Sequence, residues 1–242
     1  MHQYLKPEES FDTLFDGYTI IQKRGGFRYG TDAVLLAHFA APGPSDRLCD
    51  LGCGGGIIPL LCAAGTACGD ITGVEILSDY AERAGRSVAA NGLTDRVRIL
   101  AGDYRIPALL PASHFTVVTA NPPYQKVGAG LSSPDDEKRL ARIEINATLE
   151  HVAATAARIT EPGGRFCLVH RPERLTDVLC ELRRFGLEPK RLRLVQNTPC
   201  SPPSLFLVEA LRGGRPGIRV EAPLLLTEDG GESAELRAIY RR

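Results

Sequence analysis

The run Arg47-Leu48-Cys49-Asp50-Leu51 passes directly into Gly52-Cys53-Gly54-Gly55-Gly56 and then into the apolar segment Ile57–Ala64. A buried-type strand, a glycine turn and a helix in immediate succession open a βαβ unit. Such a unit commits the chain to a parallel sheet with helices on its faces. Pro59 fits that helix only in the first turn, where its missing N–H has no hydrogen-bonding role, so the helix starts near Ile57. The alternation then repeats. Ile71-Thr72-Gly73-Val74 reads as a strand, and a helix over about 78–90 stops at Asn91-Gly92. Val97–Leu100 and Phe115–Ala120 read as further strands, and a long helix runs through about 139–159. Pro162-Gly163-Gly164 turns into strand Arg165–His170, a helix covers about 173–185, and strands lie near 191–196 and 205–211. The last two are joined without a helical pattern. The expected fold class is α/β: a doubly wound, mostly parallel sheet of seven strands with an antiparallel hairpin at one edge.

Ahead of this series, Tyr18–Gln22 reads as a short strand. Thr31 is placed to cap a helix through Ala33–Phe39, with Asp32 in its dipole-favoured first turn. Ala41-Pro42-Gly43-Pro44 is the clearest punctuation in the chain. The expected organisation is therefore an N-terminal strand and helix segment, residues 1–44, packed on the site of a main domain, residues 45–242, in one compact unit. The length of 242 residues and the 43% hydrophobic content suit that size.

Lys/Arg and Asp/Glu balance at 29 each, which excludes a protein that coats nucleic acid along its whole surface. The balance is uneven, however. Residues 1–137 carry 11 basic and 16 acidic side chains, and residues 138–242 carry 18 and 13. The seven cysteines form no C-x-x-C pair and the five histidines are scattered, so no metal site is expected. Cysteines in apolar stretches, such as Cys167, read as reduced thiols. With no signal-type or membrane-length apolar stretch, a cytoplasmic location is expected and no membrane partner.

Gly52 and Gly54 let the backbone turn tightly and approach a ligand. A dinucleotide fingerprint, G-x-G-x-x-G, would need glycine at 57, where Ile57 stands. The acid ahead of the glycines gives D-x-G-x-G instead, which resembles the first motif of class I methyltransferases. That resemblance places Asp50 near the cationic methionine end of S-adenosylmethionine. Glu75, with Ile76 beside it, ends the second core strand, where a carboxylate can accept both ribose hydroxyls of an adenosine. Ala101-Gly102-Asp103-Tyr104 ends the third. Asp103 is a candidate for the adenine amine and Tyr104 for the ring, although Gly-Asp also serves simply as a turn.

The fourth strand ends in Asn121-Pro122-Pro123-Tyr124. An exocyclic amine on adenine is a poor nucleophile because its lone pair is delocalised into the ring. Two acceptors on its two N–H bonds draw the nitrogen towards tetrahedral geometry. The side-chain oxygen of Asn121 and the carbonyl of Pro122 are suited to this, in a backbone stiffened by proline. Tyr124 is suited to stacking on an extruded base. Asn121, Pro122 and Tyr124 are the candidate catalytic residues, with Asn121 also facing the cofactor. The tetrapeptide alone leaves adenine, guanine and a glutamine side-chain amide open as substrates.

The sequence resembles the bacterial tRNA adenine-N6 methyltransferases that act at position 37 of a valine tRNA, over nearly its whole length. Besides the two core motifs, the resemblance rests on Gln22-Lys23, Phe27–Leu36, His170–Leu175, Glu188–Arg191 and Arg212-Gly213-Gly214. It implies a Rossmann-like methyltransferase sheet, S-adenosylmethionine as cofactor, a tRNA substrate, and Thr31 and Asp32 as cofactor contacts. Where the family often has Arg-His-Glu, this chain has Arg142-Ile143-Glu144. Arg171, Arg174, Lys190, Arg191, Arg193 and Arg215 are candidate phosphate contacts, and the loop Gln125–Glu137 is a candidate for recognition. Two other readings stay open. A protein glutamine methyltransferase usually carries a helical substrate-binding region before the core, and here 49 residues precede Asp50. A non-catalytic RNA-binding module would have no need of Asp50, Gly52, Gly54, Glu75 and Asn121.

Overall fold

The structure is a computed structural model and describes residues 2–25, 28–122 and 148–241. Two strands, β1 (Glu9–Thr13) and β2 (Thr19–Lys23), form an antiparallel hairpin, and helix α1 (Thr31–Ala40) follows. The core then alternates as expected. Strand β3 (Arg47–Leu51) leads to α2 (Ile57–Gly65), β4 (Asp70–Glu75) to α3 (Ser78–Ala90), and β5 (Val97–Ala101) and β6 (Phe115–Ala120) come next. After them come α4 (Leu149–Ile159), β7 (Thr160–His170), α5 (Leu175–Arg184), β8 (Leu187–Gln196) and β9 (Pro203–Arg212).

The sheet order is β5-β4-β3-β6-β7-β9-β8, with two short strands, β10 (Arg219–Val220) and β11 (Leu224–Leu225), pairing parallel to β8. Strands β5 to β7 are parallel, and β9 runs antiparallel to both β7 and β8. This is the doubly wound, mostly parallel sheet of the sequence reading, extended from seven strands by two short ones. The antiparallel pair is β8–β9, but the later strand lies inside. Phe206–Ala210 is buried throughout, whereas more than half of β8 is only half-buried, the pattern of a more exposed position.

Helices α1, α2 and α3 share one hydrophobic core with a short last helix, α6 (Ala234–Ile239), while α4 and α5 form the core on the other face. Neighbouring strand residues feed opposite cores, as Leu48 and Cys49 do on β3 and Val117 and Val118 on β6. That is why these strands read as unbroken apolar runs. The strand order reverses between β3 and β6, which opens a crevice at their carboxyl ends.

The structure corrects several details of the sequence reading. The N-cap of α1 is Gly30, and Thr31 is the first helical residue. A Cβ at 30 would lie 2.6 Å from the Asp32 Oδ1, so any larger residue there displaces that carboxylate. Strand β7 begins at Thr160, and the Pro162-Gly163-Gly164 turn sits inside it. Gly163 adopts φ +80°, and the pairing with β6 shifts register between Phe115 and Val117. The long helix expected over 139–159 is described from Leu149, capped by Thr148, whose side chain accepts from the His151 N–H.

The N-terminal hairpin docks on α3. Thr19 N donates to Asn91 Oδ1 at 2.8 Å, Asn91 Nδ2 donates back to Thr19 O at 2.6 Å, and Ile21 N donates to Ser87 Oγ at 3.0 Å. The buried Glu9 carboxylate accepts from Arg83 at 3.2 Å and from Arg86 at 2.6 and 2.7 Å.

Candidate functional site

The glycine loop runs from the end of β3 to the start of α2. Gly52, Gly54 and Gly56 have φ of +72°, +55° and +85°, values that strain any other residue. Gly52 N and Cys53 N both donate to Val74 O at 2.9 Å, which ties the loop to the end of β4. A Cβ at Gly52 or Gly54 would meet no heavy atom within 4 Å, so the loop borders open space. Gly56 differs, because a Cβ there would lie 3.0 Å from the Cβ of Ala84. Its role is close packing against α3.

Glu75 ends β4 and is held by two backbone donors. Gly54 N donates to its Oε2 and Leu77 N to its Oε1, both at 2.8 Å. Ile76, next along the chain, is an exposed apolar side chain at the same strand end. Asp103 lies two residues beyond β5 and accepts from the Arg105 backbone N–H and guanidinium, each at 2.9 Å. The guanidinium holds its carboxyl below the usual carboxylate range. Asp103 thus closes a turn on Arg105, the local role that Gly-Asp pairs often have. Tyr104 beside it is half-buried against the core, and desolvation raises its phenol above the ordinary value.

Asp50 is 1% exposed and its Oδ1 accepts from Thr119 Oγ1 at 2.7 Å. Burial pushes its carboxyl up to about 7; the Thr119 bond works against that shift and the nearby Glu75 charge adds to it. Residues 50 and 119 are register partners on β3 and β6, so the parallel pairing itself brings them together. Thr119 has no motif around it and is visible only once that register is known.

Asn121 and Pro122 follow β6 directly, across the crevice from the glycine loop, and both are half-buried. Asn121 Nδ2 donates to Asp32 Oδ2 at 3.2 Å, and Asp32 Oδ1 accepts from Ala33 N at 2.9 Å. Thr31 Oγ1 accepts from Tyr240 Oη at 3.4 Å, joining α1 to the last helix. The structure therefore gathers Asp50, Gly52, Gly54, Glu75, Ile76, Asp103 and Tyr104 along the ends of β3, β4 and β5. It brings Asp32 to Asn121 on the β6 side. Tyr124, the loop Gln125–Glu137 and Arg142–Glu144 lie outside the described residues.

The six basic residues separate. Arg171 and Arg174 follow β7 at the carboxyl edge of the sheet, and Arg174 Nε donates to Asp177 at 2.6 Å. Arg191 is ion-paired with Glu209 and Glu221 and stacks over Phe39, and Arg193 pairs with Glu235. Lys190 lies near the start of β8, at the opposite end of the sheet, where its ammonium donates to Arg215 O at 3.0 Å. Among the described residues no His/Cys/Asp/Glu group is placed to hold a metal ion, and no helix is long and apolar enough to cross a membrane.

The strand order, the glycine loop after β3 and the Asn121-Pro122 corner after β6 together define a class I methyltransferase. Residues 18–181 match the methyltransferase small domain. A tRNA1(Val) (adenine(37)-N6)-methyltransferase from Porphyromonas gingivalis is 31% identical over 202 residues, 81% of this chain and 78% of that protein. One from Tolumonas auensis is 29% identical and covers 93% of each chain. The chain belongs to the methyltransferase small domain family, among the bacterial tRNA1(Val) (adenine(37)-N6)-methyltransferases. The crystal structure of a protein from Agrobacterium tumefaciens, described as a predicted O-methyltransferase, superposes with a TM-score of 0.70 at 26% identity. It covers 87% of this chain and 95% of that one. A Streptomyces coelicolor geranyl diphosphate C-methyltransferase, solved with S-adenosyl-L-homocysteine, shares the fold at a TM-score of 0.53 and 16% identity, over 75% of this chain and 76% of that one.

Proposed function

We propose that this methyltransferase transfers the methyl group of S-adenosylmethionine to the exocyclic N6 amine of an adenine in tRNA, at the position 37 that its relatives' names specify. The observation that carries the reading is the Asn121-Pro122 corner at the crevice, with the Asn121 carboxamide bonded through its nitrogen to Asp32.

The residues present fit the cofactor. The space over Gly52 and Gly54 admits a ligand against the backbone, and the amino end of α2 follows the same loop, where a helix terminus favours negative charge. Glu75 is held by the Gly54 and Leu77 N–H groups, one on each carboxylate oxygen, which fixes the carboxylate that a pair of hydroxyls would meet. Ile76 and Tyr104 supply apolar surface for a flat ring, and Asp103 supplies an acceptor at its edge. Asp50 supplies negative charge for an ammonium, and Thr31 approaches from α1, while Asp32 on the same turn is engaged by Asn121 instead. When bound, S-adenosylmethionine supplies a methyl carbon activated by its sulfonium.

The chain's own contribution is to the acceptor amine. Asn121 Oδ1 and Pro122 O take the two N–H bonds, so the nitrogen lone pair turns out of the ring's π-system. Proline fixes its own φ and removes a competing donor from the corner. Tyr124 stacks on the base. Because Asn121 is neutral, no base removes a proton beforehand, and the extra proton leaves the product amine to solvent. The two-acceptor corner favours an amine with two N–H bonds over a hydroxyl with one.

The test is incubation with S-adenosylmethionine and a tRNA1(Val) transcript, followed by nucleoside mass spectrometry. N6-methyladenosine at position 37 is the expected result. Transfer to the glutamine of a release factor, with none to RNA, overturns the reading.

A further inference from the structure

We propose that Asp32 is a positioning residue that fixes which edge of the Asn121 carboxamide is presented to the substrate. The proposal rests on the adenine-amine reading above and adds a role for a residue that does not itself meet the amine.

An ionised carboxylate only accepts hydrogen bonds. The atom of Asn121 that lies 3.2 Å from Asp32 Oδ2 must therefore be its NH2 group. In a planar carboxamide the oxygen is then turned to the opposite edge. The alternative rotamer, with oxygen and nitrogen exchanged, would set two acceptors against each other at Asp32. It would also turn a donor towards the target amine, donor against donor. Asp32 thus disfavours the one orientation of Asn121 in which the corner cannot hold an amine.

The carboxylate is itself held in place. Its other oxygen accepts from Ala33 N at 2.9 Å in the first turn of α1, where the helix dipole favours negative charge. Helix α1 is buried along most of its length, at Ala33 to Ala37, Phe39 and Ala40, so its first turn is carried on a rigid body. Gly30 leaves room for Oδ1, which would lie 2.6 Å from a Cβ at that position. The chain separation of 89 residues means that a segment ahead of the core sets the orientation of a side chain in its catalytic corner.

The experiment combines a spectrum with kinetics, using the full chain. In 15N spectra the side-chain NH2 of Asn121, assigned by its loss in N121A, has one proton shifted downfield by Asp32, and the shift disappears in D32A. With a tRNA1(Val) transcript, D32A lowers kcat by about 100-fold, as for a misplaced catalytic group. Its KM for tRNA and its S-adenosylmethionine affinity by calorimetry stay near wild type. G30A, which pushes the carboxylate aside without removing it, gives an intermediate loss. N121D opposes two carboxylates and is impaired. Adding D32N restores the donor–acceptor pair with the roles exchanged and recovers turnover. A helix-capping role alone predicts no such rescue, and a cofactor contact predicts weakened cofactor affinity in D32A; either result overturns the proposal. An unchanged Asn121 resonance in D32A does so as well. A wild-type protein inactive on the transcript defeats the substrate reading, while the spectrum still decides the orientation.

Discussion

In the proposed reaction the single side chain of Asn121 carries half of the acceptor geometry. Asn121→Ala lowers kcat by about 10²–10³, the effect of removing one preorganised polar group from a transition state. Calorimetric affinity for S-adenosylmethionine is expected to stay unchanged, since the proposed ribose and methionine contacts lie elsewhere; a parallel loss of affinity contradicts the assignment. Asp50 behaves differently. Its folded carboxyl sits at about 7 because of burial, above the ordinary 3.8. A raised carboxyl contributes stability that is complete below about 4 and lost as pH rises through about 7. Asp50→Asn keeps the acceptor for Thr119 and removes the buried charge. The variant therefore melts higher than wild type at pH 8, by several degrees, and the gap narrows as pH falls towards 5. A gap that widens on acidification contradicts the sign. The D-x-G-x-G and Asn-Pro-Pro-Tyr motifs were legible because each concentrates unusual backbone demands in a few residues. The partners Thr119 and Asp32 supply to them were not, because both contacts arise from tertiary pairing across 69 and 89 residues.

At the scale of elements, the β1–β2 hairpin shows what periodicity misses. Glu9-Ser10-Phe11-Asp12-Thr13 has a single large apolar side chain, and nothing local marks it as a strand. It is a strand because β2 pairs with it and because Arg83 and Arg86 on α3 bond its first residue. The Arg86 hydrogen bond, opposed by burial and aided by Lys6 N and Arg83, holds Glu9 down at about 2. A depressed carboxyl contributes stability that is present above about 4.5 and lost as pH falls through about 2. Glu9→Gln leaves two cations with a neutral partner and costs about 3 kcal/mol in denaturant unfolding near neutral pH. The cost shrinks as acid protonates the wild-type carboxylate. An unchanged midpoint at pH 7, or a cost that grows below pH 4, counts against the anchor. The parallel core was readable for the opposite reason. Strands buried on both faces, such as Leu48–Leu51 and Val117–Ala120, are nearly continuous apolar runs bounded by turn residues. Composition also separates the last two strands: Leu205–Val208 is an unbroken apolar run, whereas Arg191 and Arg193 interrupt β8, which lies outside β9.

For the whole molecule, the direction of the sheet sorts the charge. The six basic residues of 138–242 that the sequence offers as candidate phosphate contacts do not share one surface, because the fold splits them three ways. Lys190 and Arg215 are at the amino end of the strands, and Arg191 and Arg193 are tied into ion pairs. Arg171 and Arg174 share the carboxyl edge with Asn121, and Arg171 Nη1 donates to Ser204 O at 3.3 Å, at the start of β9. On the proposed tRNA reading, a net-neutral protein meets the RNA through a few local phosphates, so its affinity has a shallow dependence on salt. On that basis Arg171→Ala raises KM for a tRNA1(Val) transcript and flattens the plot of log KM against log salt by roughly 0.7–0.9, one phosphate's worth. Arg191→Ala removes two ion pairs and the stacking over Phe39, so it lowers Tm and leaves the slope as in wild type. The same change in slope for both variants would mean that RNA reaches across β8. An unchanged slope in Arg171→Ala would place the phosphate contacts away from the edge that carries the catalytic corner.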